Sequence, residues 1–318
     1  MSLYRSVRAV TGASGDGPID WDAVGEAAKA STDRGSIDLS PAEQDAYATD
    51  VRDARDRVRE VAGIDFDLPE RVEIFNRHHW IDANVDTFRR VMEPLEDSVG
   101  LVPGVARVVN TGSMTVALGF LARNVLGQYD PLLLAEGDVG DQHALYFVHP
   151  NIDRVADSLA VDGERFRRWI AFHEVAHAAE FGAAPWLPDY LEERMESAVT
   201  NLSEGDFDRD MLVELDTTMT AVEGYAELIM DRAFDEEYRD LRDELERRRQ
   251  GRGPIQKLFR RALGLSVKRQ QYERGKDFFD AVADERGVEA AGRVWDAPEY
   301  LPTDEEIDDP ALWLARVD

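Results

Sequence analysis

The chain has 318 residues, with 65 acidic against 37 basic side chains and a formal net charge of -28. A surface of that sign repels phosphate backbones and anionic lipid headgroups, so neither a nucleic-acid nor a membrane partner is expected. Cysteine is absent, which excludes disulfides and thiolate ligands and leaves histidine and carboxylate to hold any metal.

The charge also points to a setting. Lysine occurs only at Lys29, Lys257, Lys268 and Lys276, so nearly all positive charge is arginine, a pattern that fits a salt-adapted (halophilic) cytoplasm. The opening MSLYRSVRAVTGASG lacks the apolar stretch of a secretory signal, and no apolar run approaches a membrane span, so a soluble cytoplasmic protein is expected. Self-repulsion among the excess carboxylates is screened by salt, the Debye length falling from about 10 Å at 0.1 M to about 3 Å at 1 M. The melting temperature should therefore rise between about 0.1 M and about 2 M KCl. Equal values in a calorimetric scan would remove the argument for a salt-rich cytoplasm.

In chain order, the Gly- and Asp-containing opening through residue 38 is expected to be loosely held. Residues 39–318 are expected to form one domain, either a single unit or two lobes, 39–160 and 161–318, around a cleft. Ser40-Pro41-Ala42-Glu43 is a capping box with proline at the first helical position and opens a charged helix through about Val61. Apolar spacing predicts further helices at 77–95, 112–127, 163–182, 187–202, 207–248 with breaks, 254–263, 265–286 and 288–295. Asn84, midway in WIDANVDTF, is a polar residue on one of these and is expected to bond across the lobes or to line the cleft as a substrate contact. The clearest strand is ALYFVHP, 144–150. The class is mainly α with a small β-sheet.

The segment VDGERFRRWIAFHEVAHAAEF carries Phe166, Trp169, Ile170, Val175 and Ala176 at helical spacing, with no break before Gly182. Within it stands His173-Glu174-Val175-Ala176-His177. Residues four apart share a helix face, so both imidazoles can reach one metal ion while Glu174 leans toward a water bound to it. That is the geometry of a zinc hydrolase with one Zn2+ per chain. A metzincin would need glycine and histidine at 180 and 183, where the chain has Glu180 and Ala183. A di-iron bundle needs a second Glu-x-x-His, and none is present.

Catalytic zinc takes a third protein ligand. The helix DTTMTAVEGYAELIMDRAF offers Glu223 and Glu227 on one side of an otherwise apolar face. Glu223 is the favoured ligand, and Glu227, one turn on, would accept the second N–H of a ligating histidine. Gly224 and Ala226 are small enough to bring this helix close to the His173 helix.

HEVAHAAEF, followed by PWLPDYL and AVEGYAELIMD, resembles the zincin-like, gluzincin-type metallopeptidases of actinobacteria and haloarchaea, some of them linked with biosynthesis of a deazaflavin coenzyme. WIDANVDTFRRVMEPL, LGFLARNVLGQYDP, PNI, KRQQYERGKDFFDAV and LPTDEEIDDPALWLARV extend the similarity over roughly residues 70–318. The resemblance implies His173, His177 and Glu223 as ligands and Glu174 as the catalytic carboxylate.

Two further site elements are expected. Zinc peptidases hold an extended substrate on a strand edge, and HALYFVHPN, with Tyr146 and Val148 as contacts, is the candidate edge. His143 and His149 at its ends have no motif partner and read as ordinary strand-end residues. The helix LSVKRQQYERGKDFF places Lys268 and Tyr272 on one face, where Tyr272, with Lys268 beside it, would donate to the oxyanion. The function expected is zinc-dependent hydrolysis of a peptide or protein amide. The alternatives are a noncatalytic zinc-holding module, or hydrolysis of a nonpeptide amide in deazaflavin coenzyme metabolism. Neither the oligomeric state nor a physiological partner can be read from these residues.

Overall fold

Capping signals set the helices of this protein, whose computed structural model describes residues 18–69, 71–96, 103–130, 144–204, 208–234, 238–250 and 269–317. Asp20 caps helix α1 (Trp21–Ser31), its Oδ1 accepting from the Ala23 N–H at 2.9 Å. Trp21, Val24 and Ala28 of α1 are buried in a cluster with Trp80, Ile81, Leu118 and Val148. The part of the opening from Ile19 onward is therefore packed core, a correction to the expectation of a loosely held segment. Helical spacing of Trp21, Val24, Ala27 and Ala28 outweighs the neighbouring Gly and Asp. Helix α2 (Pro41–Ala62) opens on the expected capping box of Ser40 and Glu43 and stops at Gly63, whose φ of 68° is left-handed.

Strand β1 (Arg71–Phe75) leads into helix α3 (Arg77–Glu96), and helix α4 (Pro103–Ala122) into strand β2 (Gly127–Asp130). Helix α4 ends earlier than expected because the chain unwinds after Ala122 to enter β2. Strand β3 (Ala144–Val148) is followed at once by helix α5 (His149–Leu159). The sheet order is β1-β3-β2, with β1 parallel and β2 antiparallel to β3. All five residues of β3 are buried. A central strand covered on both faces reads as an unbroken apolar run.

The remaining helices are α6 (Gly163–Ala183), α7 (Leu187–Glu204), α8 (Arg209–Ala233), α9 (Arg239–Gln250), α10 (Arg269–Arg286), α11 (Val288–Gly292), α12 (Asp304–Asp308) and α13 (Pro310–Val317). The helix expected at 254–263 lies outside the described residues. The larger core cluster joins Tyr47 and Val51 of α2, Phe166 and Phe172 of α6, Tyr225 of α8, Phe278 of α10, Trp295 and Trp313. Residues from both expected lobes thus share one core. Among the described residues, no helix is long and apolar enough to cross a membrane.

Helices α8 and α10 approach unusually closely. A Cβ added at Gly224 would lie 2.4 Å from the Gly275 carbonyl carbon, and one at Gly275 would lie 2.3 Å from the Thr220 oxygen. Gly224 therefore serves contact with α10, not with the His173 helix as expected. Because backbone meets backbone, no side-chain rotation relieves the clash, and Gly224→Ala should cost at least about 1–3 kcal/mol in urea unfolding. Unchanged stability would mean that the two helices can slide apart freely.

Candidate metal centre

Helix α6 begins at its cap, where Asp162 accepts from the Arg165 N–H at 2.8 Å, and runs unbroken through both histidines. Their Nε2 atoms stand 3.3 Å apart. Two nitrogens bound at about 2.0–2.1 Å to a tetrahedral ion are separated by about 3.3–3.4 Å, so the pair already has the spacing that zinc requires. Glu223 on α8 brings its Oε2 to 3.9 Å from His173 Nε2, and the ligand atoms of His173, His177 and Glu223 all lie within 4.8 Å of one another. The three residues expected to hold the metal are brought together.

Trp169, one turn before His173, stacks parallel to its ring with centroids 5.8 Å apart. His177 is fixed differently: its Nδ1 lies 2.8 Å from Glu180 Oε2, and the Glu180 side chain is 0% exposed. A carboxylate acceptor makes Nδ1 the protonated nitrogen and turns the Nε2 lone pair toward Glu223 and His173. This is the task that Glu227 was expected to perform for a ligating histidine, and at His177 it is Glu180 that performs it. Glu227 lies one turn beyond Glu223 and does not line the cavity at the centre. Glu180 succeeds because three residues along one helix place it beside His177 without help from another element. Glu180→Gln keeps the shape and removes the charge, and should lower zinc affinity by roughly 10–100-fold in a chelator competition. Unchanged affinity would reduce Glu180 to a packing residue.

Electrostatics favour a cation here. Burial pushes the Glu174 carboxyl up to about 7, against the opposing pull of His177 and the Tyr129 N–H. Burial likewise pushes Glu180 up to about 7, with His177 again opposing. Burial resists charge on His177, but Glu180, Glu223 and Glu174 outweigh it and raise that imidazole to about 10. One protonated imidazole offsets only one of the three surrounding carboxylates, whereas a divalent ion among His173, His177 and Glu223 offsets two. The residues present fit zinc.

Glu174 is 7% exposed and lines the cavity beside the three ligands. Its Oε2 accepts from the Tyr129 N–H of β2 at 2.9 Å. A Cβ at Gly127 would come within 2.6 Å of the Glu174 side chain, so glycine lets the strand lie against it. Strand β2 is pinned from the other side by a closed ring of hydrogen bonds. Trp80 Nε1–H donates to Gln128 Oε1 at 2.7 Å, Gln128 Nε2 donates to Asn84 Oδ1 at 3.0 Å, and Asn84 Nδ2 donates to the Trp80 carbonyl at 2.9 Å. Asn84 thus holds a strand of the site through partners in its own expected lobe and does not line the cavity, which corrects the expectation that it bridges the lobes or contacts substrate.

The strand beside the cavity is β2, not β3. Tyr146 stacks on Phe75 at 4.6 Å and Val148 is fully buried, so neither reaches a substrate, and the expectation that they form the binding edge is corrected. Gly127, Gln128 and Tyr129 of β2 line the cavity instead. His149 sits at the start of α5, 3.0 Å from the Tyr47 hydroxyl and 3.1 Å from Asp153, apart from the metal residues. Tyr272 belongs to α10, but its side chain, like the whole of Lys268 and His143, lies outside the described residues.

The model of a family described as zincin-like metallopeptidase matches residues 19–208 and 191–314. A crystal structure from Chloroflexus aurantiacus, of a candidate hydrolase with a novel fold, matches with a TM-score of 0.73 and 30% identity, over 99% of this chain and 98% of that one. No curated protein matches the chain.

Proposed function

The chain belongs to the zincin-like metallopeptidase family, and on that premise we propose that it hydrolyses amide bonds of peptides with one zinc ion and Glu174 as general base. The observation that carries this reading is the buried Glu174 carboxyl facing the same cavity as the His173, His177 and Glu223 ligand atoms. When bound, zinc supplies a Lewis acid that polarises the scissile carbonyl and acidifies the attacking water. Glu174 takes the proton from that water as its oxygen bonds to the carbonyl carbon, and delivers it to the nitrogen as the C–N bond breaks. The Tyr129 N–H holds Oε2 in place and leaves Oε1 for this transfer.

The test is cleavage of a mixed peptide library in concentrated KCl, read by mass spectrometry with zinc-loaded and chelator-stripped protein. Cleavage by the loaded protein alone supports the proposal. A zinc-loaded chain that cleaves nothing would instead be a zinc-holding module on a peptidase fold.

A further inference from the structure

The cavity at the metal centre has a volume of about 330 Å³, and beyond the metal ligands and Glu174 its wall is mainly apolar. That wall is built by Leu126 ahead of β2, Trp169 and Phe181 of α6, Leu191 of α7, and Met219 and Val222 of α8. Two amides also line it, and both are engaged within the fold. Asn124 Nδ2 donates to the Phe120 carbonyl at 2.8 Å, and Gln128 is held by Trp80 and Asn84. Among the described residues, the ionisable groups that line the cavity in the neutral range are His173, Glu174, His177 and Glu223, all at the metal end. A carboxylate, phosphate or ammonium on the apolar wall would lose its hydration and gain no counter-charge there.

We propose that this wall is a specificity pocket for one neutral, apolar side chain next to the scissile amide. The proposal rests on the hydrolase reading above and narrows it to substrates with a leucine-, methionine- or phenylalanine-like group at the cleaved bond. The volume supports a single group. Ligand sites run from about 300 to 1,000 Å³, and this one, at the small end of that range, has room for a side chain beside the reacting bond.

Three hydroxamates test it by isothermal titration into full-length, zinc-loaded protein. Acetohydroxamate reports an accessible metal alone, 4-methylpentanohydroxamate adds an isobutyl tail, and succinic monohydroxamate adds a carboxylate at similar reach. The isobutyl compound should bind at least about 30-fold tighter than acetohydroxamate, because each methylene moved from water to an apolar wall is worth roughly fourfold. The succinic compound should gain nothing. Met219→Lys, checked for an unchanged fold by its melting curve, should erase the isobutyl advantage and favour the succinic compound. Leu191→Ala, a milder change, should reduce the advantage several-fold. Equal binding of all three compounds would overturn the pocket and leave the hydrolase reading standing. No binding by any of them, with zinc still present, would overturn both.

Discussion

Glu174→Gln is expected to keep one zinc per chain and to lose about 10²–10⁴-fold in amide hydrolysis. Glutamine has nearly the same shape, and its carbonyl oxygen can still accept from the Tyr129 N–H, so strand β2 has no reason to move. The ligand atoms of His173, His177 and Glu223 belong to other side chains and stay where they are. What disappears is the carboxylate that, on the proposed reading, carries a proton between water and the leaving nitrogen. Paired zinc analysis and single-turnover kinetics check both halves. A variant with normal zinc and normal turnover would remove Glu174 from the chemistry, and a variant without zinc would show that it supports the metal instead.

His173→Ala and His177→Ala should each abolish stable zinc retention. With two ligands remaining, the site loses both a bond and the tripod that excludes the wrong geometry. The effect extends to stability, since a ligand present at a thousand times its dissociation constant adds about 4 kcal/mol to the folded state. Chelator should therefore lower the melting temperature of the wild-type chain and leave that of either variant unchanged. Elemental analysis finding full zinc in both variants would sink the site.

Much of this centre was legible in the sequence, because its largest part lies within one helix. The spacing of His173 and His177 is a local property, and apolar periodicity alone places both on a regular helix. Glu223 was legible as an acidic residue on an apolar face. The less legible parts depend on tertiary packing. Strand β2 is only four residues, with glycine and aspartate in it, and shows no alternation to mark it. The run ALYFV was readable as a strand, but five consecutive apolar residues signal burial on both faces and hence a central position. Glu180 was noticed as the residue that departs from the metzincin pattern, while its place three positions beyond His177 carried the structural meaning.

The close crossing of α8 and α10 has a bearing on when the protein becomes competent during its synthesis. Glu223 immediately precedes Gly224, so the glycine contact that seats α8 against Gly275 also sets the height at which the third ligand is delivered. The two histidines emerge from the ribosome about a hundred residues before α10 does. A nascent or truncated chain ending before Arg269 would carry both imidazoles and Glu223, but would lack the surface against which α8 is registered. The register at which the third ligand is presented thereby depends on a helix that follows it in the chain.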